Sequence, residues 1–226
     1  LNTKRPWKDL NLLFLHAGSD RIDPAIKYFL HRGAHVYLKT RKEIIDLSSL
    51  IDKKVLDLEV QDEDEENREI RLTCERAFEE IEKTDTLYPW GNQKCGAKVA
   101  PLLKPYIEYF LKELAPAVIK ETRLLHRFYQ DRRIHYVLAQ AITDYDPLSG
   151  IAAAHITDGV KTVCFEHGAH LLRTEASSIQ DLHFFDFYFT GSDATKRILQ
   201  HFNSAPFIKP AQILTNPYRY EPLKQG

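Results

Sequence analysis

Glu166, His167 and Gly168 stand directly after the apolar run Lys161 to Phe165. A glycine there lets the chain turn sharply. Such a turn sets a carboxylate and an imidazole at the open end of a buried strand. A carboxylate can serve as general base, and an imidazole titrates near neutrality. The same three residues also fit a capped loop with exposed polar side chains. Arg173 follows and could hold a phosphate or carboxylate through two parallel hydrogen bonds, or pair with Glu175 or Asp181. His167, His170 and His183, with Glu166 and Glu175, match no zinc spacing, so no metal is expected.

Other short loops carry polar groups. His16-Ala17-Gly18-Ser19-Asp20 follows the apolar run Leu10 to Leu15. It lacks both the dinucleotide fingerprint and the phosphate-loop lysine, so no bound nucleotide cofactor is expected there. Its small residues, Gly18 and Ser19, let a ligand such as a sugar approach the backbone beside His16. Asp144 and Asp146 flank Tyr145. Asp146 reads as a helix cap before Pro147, whereas Asp144 could bind sugar hydroxyls or act as a base. Gly191-Ser192 and Asn216-Pro217 close two further apolar runs. No G-x-S-x-G elbow is present, which disfavours a serine hydrolase.

The elements that must position these loops follow from periodicity. Strands are expected at 10–15, 34–38, 55–58, 134–142, 161–165, 185–189 and 211–214. Helical spacing is expected over 22–32 (stopped by Gly33), 40–51, 68–81, 102–129, 147–157 (stopped by Gly159) and 193–202, the last capped by Ser192 or Asp193. Pro105 and Pro116 mark starts or kinks in the long helical stretch. Its aromatic residues, among them Tyr106, Tyr109 and Phe110, read as a satellite core or as the wall of a cleft. The fold expected is α/β: a doubly wound, Rossmann-like parallel sheet of about seven strands, with a helical insertion between strands three and four, about 64–130. In such sheets ligands bind beyond the carboxyl ends of the strands, where all the loops above lie.

Composition narrows the function classes. The chain has 226 residues, 43% hydrophobic and 28% charged, enough for a core of normal size. Net charge is −1, so no global field attracts nucleic acid. Arg123, Arg127, Arg132 and Arg133 read as a solvated helix face. The acidic run from Glu59 to Asn67 reads as a loop leading into a helix, without the glycine spacing of a calcium loop. Three cysteines, Cys74, Cys95 and Cys164, are too few and too scattered for a disulfide framework, which suggests a reducing compartment. No signal peptide and no apolar run long enough to span a membrane are visible.

The stretch TDYDPLSGIAAAHITDGVKTVCFEHGAHLLRTEASS, then FDFYFTGSDATKRIL and ILTNP, resembles the N-terminal half of GT-B glycosyltransferases and of non-hydrolysing nucleotide-sugar 2-epimerases. Bacterial surface-polysaccharide transferases are the nearest subgroup. The shared pattern is an acidic residue after a strand, a small-residue helix, a His/Glu/Gly turn, a Gly-Ser edge and an Asn-Pro turn. Here these are Asp144, Ile151 to Ala154, Glu166 to Gly168, Gly191-Ser192 and Asn216-Pro217. The epimerases' compact His-x-Glu-Ala-Gly-x-Arg run is replaced by Glu166-His167-Gly168-Ala169-His170-Leu171-Leu172-Arg173, which disfavours epimerisation.

The resemblance implies an acceptor-binding domain over residues 1–217, followed by a linker, 218–226, toward a donor-binding domain outside this chain. It implies transfer of a sugar from a nucleotide-sugar donor to a glycan or lipid-linked acceptor. Glu166 or His167, or else Asp144, would be the base. His16, Gly18, Ser19, Gly168, His170, Arg173, Gly191, Ser192 and Asn216 would line the substrate, with Lys196 within reach of anionic groups. A cytoplasmic enzyme, working at the inner face of the membrane where the acceptor is lipid-linked, is the expected setting. Half of a nucleotide-sugar 2-epimerase or hydrolase, and a non-catalytic carbohydrate- or protein-binding module, are the rival readings.

Overall fold

The computed structural model describes residues 6–15, 22–49, 54–58, 65–84, 100–140, 145–166, 182, 184–202 and 211–215. They form an α/β fold around one eight-stranded, mostly parallel sheet. In chain order the elements are β1 (Asn11–Phe14), α1 (Ile22–His31), β2 (His35–Lys39), β3 (Glu43–Asp46) and β4 (Lys54–Asp57). Then come α2 (Glu65–Thr84), α3 (Ala100–Tyr109), a π-helical segment (Phe110–Leu114) and α4 (Ala115–Asp131). The chain returns to the sheet through β5 (Tyr136–Ala139), α5 (Tyr145–Ile156), β6 (Lys161–Phe165), β7 (Phe187–Thr190), α6 (Asp193–Phe202) and β8 (Gln212–Thr215).

The sheet order is β4-β3-β2-β1-β5-β6-β7-β8. The six strands from β2 to β8 across the middle run parallel, whereas β2–β3 and β3–β4 pair antiparallel. Side chains alternate along each strand, so each core strand feeds both faces. Leu13, Val137, Cys164 and Tyr188 point into one core, with Leu125 and Tyr129 of α4, Ile151 and Ala154 of α5 and Leu199 of α6. Leu12, Phe14, Val36, Leu138 and Val163 point into the other, with Ile22, Ile26 and Phe29 of α1.

Two sequence expectations are corrected. Residues 40–49, most of the stretch expected as a helix, hold β3 and the turns beside it, and the sheet has eight strands where about seven were expected. Nor is the sheet wholly parallel, because 54–57 pairs antiparallel with β3. The spacing of Ile44, Ile45 and Leu47 suits either period. Local side-chain bonds decide it, since Ser, Thr and Asp compete with helical backbone bonds. Thr40 Oγ1 accepts from the Glu43 N–H at 3.1 Å, and the Thr40 N–H reaches the Glu43 carbonyl at 2.8 Å. Asp46 accepts from the Ser48 N–H at 2.8 Å, while Ser48 Oγ accepts from the Val36 N–H at 2.8 Å. Ile44, fully buried opposite Lys39, then fills a place in the core.

The expected stop signals for α1 and α5 are in place. Gly33 and Gly159 adopt φ of 78° and 80°, the left-handed backbone that glycine takes without a Cβ penalty. Residues 60–124 form a compact unit apart from that of 1–59 and 125–226. Within it Arg123 pairs with Glu66 at 2.6 Å, and Lys112 sits 4.8 Å from the Phe78 ring centre. Pro105 lies inside α3, and the π-helical segment ends just before Ala115-Pro116, where the missing N–H of Pro116 interrupts the regular ladder. Among the described residues no helix is long and apolar enough to cross a membrane.

Candidate functional site

The chain leaves β1 for β2 on one side and later inserts β5 on the other, so strand order reverses between β1 and β5. In open α/β sheets ligands bind beyond the carboxyl ends of the strands at such a reversal; the loops leaving β1 and β5 lie outside the described residues. β6, β7 and β8 continue that edge on the β5 side, and β2 flanks it on the other.

Glu166 is the first residue after β6 and is buried, with 3% of its surface exposed. Its N–H donates to the Phe189 carbonyl at 2.8 Å, which extends the β6–β7 pairing by one residue. Oε2 accepts from Thr190 Oγ1 at 2.8 Å and from the Gly191 N–H at 2.7 Å. A buried carboxylate needs such donors, because transfer from water without them is costly. The bonds are charge-assisted and fix the direction of the Gly191 amide. Glu166 thus works first as a clasp between two strand ends.

The ties continue toward β8. Ser192 Oγ accepts from the Thr195 N–H at 3.1 Å and caps α6, with Thr195 Oγ1 2.9 Å away. The Lys196 N–H bonds the Ser192 carbonyl at 3.0 Å. Thr215 Oγ1, at the end of β8, donates to Asp193 Oδ1 at 2.7 Å. Three neighbouring strand ends and one helix start are therefore joined by side-chain bonds.

Buried polar groups also stand at the end of β2 and at the start of α5. Lys39, the last residue of β2, is 3% exposed. Ser149, in the second turn of α5, is fully buried. Beside it Gly150 lies so close to β1 that an added Cβ would stand 2.5 Å from Leu15 Cδ2. Tyr129 holds this turn by donating to the Gly150 carbonyl at 3.0 Å. Among the described residues the buried polar or charged side chains are Lys39, Ser149, Thr157, Thr162, Glu166 and Thr190. Only Thr157 and Thr162 lie away from the carboxyl edge; Thr162 belongs to the opposite edge, where Asp186 accepts its N–H at 3.0 Å.

The structure brings Glu166, Gly191 and Ser192 together at the ends of β6 and β7. The other expected site residues, His16, Gly18, Ser19, Asp144, His167, Gly168, His170, Arg173 and Asn216, lie outside the described residues. Lys39 and Ser149 escaped the sequence reading. Thr190 and Thr215 each end an apolar strand just before a Gly or Asn-Pro turn, the signal that marks those edges in the sequence. Among the described residues no group of three or more His, Cys, Asp or Glu side chains could hold a metal ion.

Compared with protein-family models, with curated protein sequences and with solved structures, the chain has no match in any of the three.

Proposed function

We propose that this chain is the acceptor-binding half of a GT-B glycosyltransferase, with a doubly wound Rossmann-like sheet and a helical insertion between β4 and β5. The full enzyme would move a sugar from a nucleotide-sugar donor, bound mainly by a domain outside this chain, to a glycan or lipid-linked acceptor. The observation that carries this reading is the gathering of buried polar groups at the carboxyl edge. Lys39 lies on the β2 side of the β1/β5 reversal, and Ser149, Glu166 and Thr190 on the β5 side. Buried polar groups cost free energy, so their concentration where α/β sheets bind ligands favours a binding role. The sequence resemblance supplies the ligand class.

In the transfer step the acceptor oxygen bonds to the anomeric carbon as the bond to the nucleoside diphosphate breaks. The hydroxyl proton passes to a base. Glu166 Oε2 already receives two donors, which favours His167, its neighbour in sequence, with Asp144 as the remaining candidate. Glu166 then acts as a positioning residue. The setting is cytoplasmic, at the inner membrane face where the acceptor is lipid-linked.

Saturation-transfer NMR of this chain with a panel of oligosaccharides and of nucleotide sugars tests the reading. Transfer to an oligosaccharide and none to nucleotide sugars is expected. Binding of nucleotide sugars alone would sink it. A second reading, a non-catalytic carbohydrate-binding module, is favoured by the commitment of Glu166 to its clasp. In the full enzyme His167→Ala separates the two: transfer falls if the chain is catalytic and persists if it only binds.

A further inference from the structure

We infer that α3 carries a docking face for a second copy of this chain, centred on Tyr106. The aromatic residues of this stretch are not a satellite core. Tyr106 is 75% exposed, Leu102 68% and Tyr109 62%, and Leu103 and Phe110 are exposed with them. Soluble chains rarely leave large apolar side chains together in water without a use for them. α3 rests on α2 through its other side. Lys104 pairs with Glu82, and Lys112, in the π-helical segment, sits 4.8 Å from the Phe78 ring centre. At about 100° of turn per residue, those two lysines lie on the side away from Tyr106. All of these residues belong to the compact unit of residues 60–124.

The exposed stripe is symmetric about Tyr106. Leu102 and Phe110 stand four positions before and after it, and Leu103 and Tyr109 stand three. Rows of residues four apart and three apart are the ridges by which helices pack. Both rows cross here at Tyr106. A two-fold axis through Tyr106 therefore maps the stripe onto itself, as an isologous contact requires. In an antiparallel pair each Leu102 meets the partner's Phe110, and each Leu103 meets the partner's Tyr109. Each contact sets a smaller side chain against a larger one, and the two Tyr106 rings meet at the axis.

The amount of surface suits a reversible dimer. The five side chains expose on the order of 600 Å², against about 800 Å² per partner in a standard interface. Tyr and Phe are enriched in such contacts. Charge favours the same partner. Over 100–114 Lys104 and Lys112 balance Glu108 and Glu113, so two copies meet without net repulsion along the helix. A helix that lies on a lipid surface instead carries a cationic polar face, and residues 60–124 hold more acidic than basic side chains.

Sedimentation velocity of the chain from about 1 μM to about 200 μM is the test, since an interface of this size assembles in the micromolar range. A shift from monomer to dimer with rising concentration is expected. Tyr106→Glu is expected to weaken the dimer at least tenfold, because it buries a charge at the axis. Tyr106→Phe keeps the ring and is expected to leave the dimer intact. Wild type that stays monomeric throughout overturns the inference, whatever the variants do. A dimer untouched by Tyr106→Glu overturns it too, by placing the contact elsewhere. Under mild oxidation Tyr106→Cys is expected to form linked dimers faster than Lys83→Cys, which is exposed on α2. Equal rates overturn the two-fold arrangement. Capture of monomeric chain by phosphatidylcholine vesicles, lost in Tyr106→Glu, overturns the inference by assigning the face to lipid.

Discussion

Glu166 is the residue on which the edge depends. Two donors meet one of its oxygens inside the protein, and charged acceptors in such places contribute more than neutral ones. Glu166→Ala leaves the Thr190 hydroxyl and the Gly191 amide to find other acceptors, and should lower stability by about 3 kcal/mol. Glu166→Gln keeps an acceptor oxygen in place and should cost about 1 kcal/mol. Urea unfolding of the three proteins checks the order; an alanine variant as stable as wild type would remove the clasp. Glu166, Gly191 and Ser192 were legible in the sequence as edge residues because turn chemistry marks strand ends. The burial of Lys39 was not, because the run HVYLK gives an end-of-strand lysine no reason to be buried until β3 pairs beside it.

Elements are held by closer fits than their periodicity records. Gly150 lets α5 approach β1, and an alanine there would press a methyl group into buried Leu15. Overpacking costs about 1–3 kcal/mol, against a gain of up to about 1 kcal/mol in helix propensity. Gly150→Ala should therefore destabilise by about 1–2 kcal/mol. The sum of the Gly150→Ala and Leu15→Ala losses should exceed that of the double variant, since each change relieves the other. Additive losses in thermal unfolding would show that the contact is not limiting. Arg133 gives the opposite case: it ends α4 with φ 48°, in the left-handed region that non-glycine residues avoid. Arg133→Gly should raise stability by about 0.5–1 kcal/mol, after its extra unfolded-state entropy is deducted; chemical denaturation reads the sign. The parallel strands were legible because each is an apolar run with a turn behind it. β3 was not: four residues with two adjacent isoleucines carry no distinct period, and pairing with β2 decided their conformation.

At the scale of the whole molecule, the sheet joins two cores, and its stability can be read through one phenol. Tyr37 lies in the larger core opposite Asp46, with its ring edge-on to Phe128 at 5.4 Å. Burial raises its pKa above the ordinary value, the Asp46 carboxylate raises it further, and Arg132 offsets part of the rise. The sign follows from proton binding. Between the ordinary phenol value, about 10, and the higher folded value, the native chain keeps a proton that the unfolded chain has lost. Stability contributed by this group is thus complete below about pH 10 and declines as pH rises through the folded value. Lysines also titrate in that range, so the measurement is a difference. Tyr37→Phe keeps the ring contact and removes the proton, and the gap in unfolding free energy between it and wild type should shift in the variant's favour above about pH 10. A gap constant from pH 8 to pH 11 would mean that the Tyr37 hydroxyl is as easily ionised in the fold as in water, and that the β2–β3 turn does not close over it.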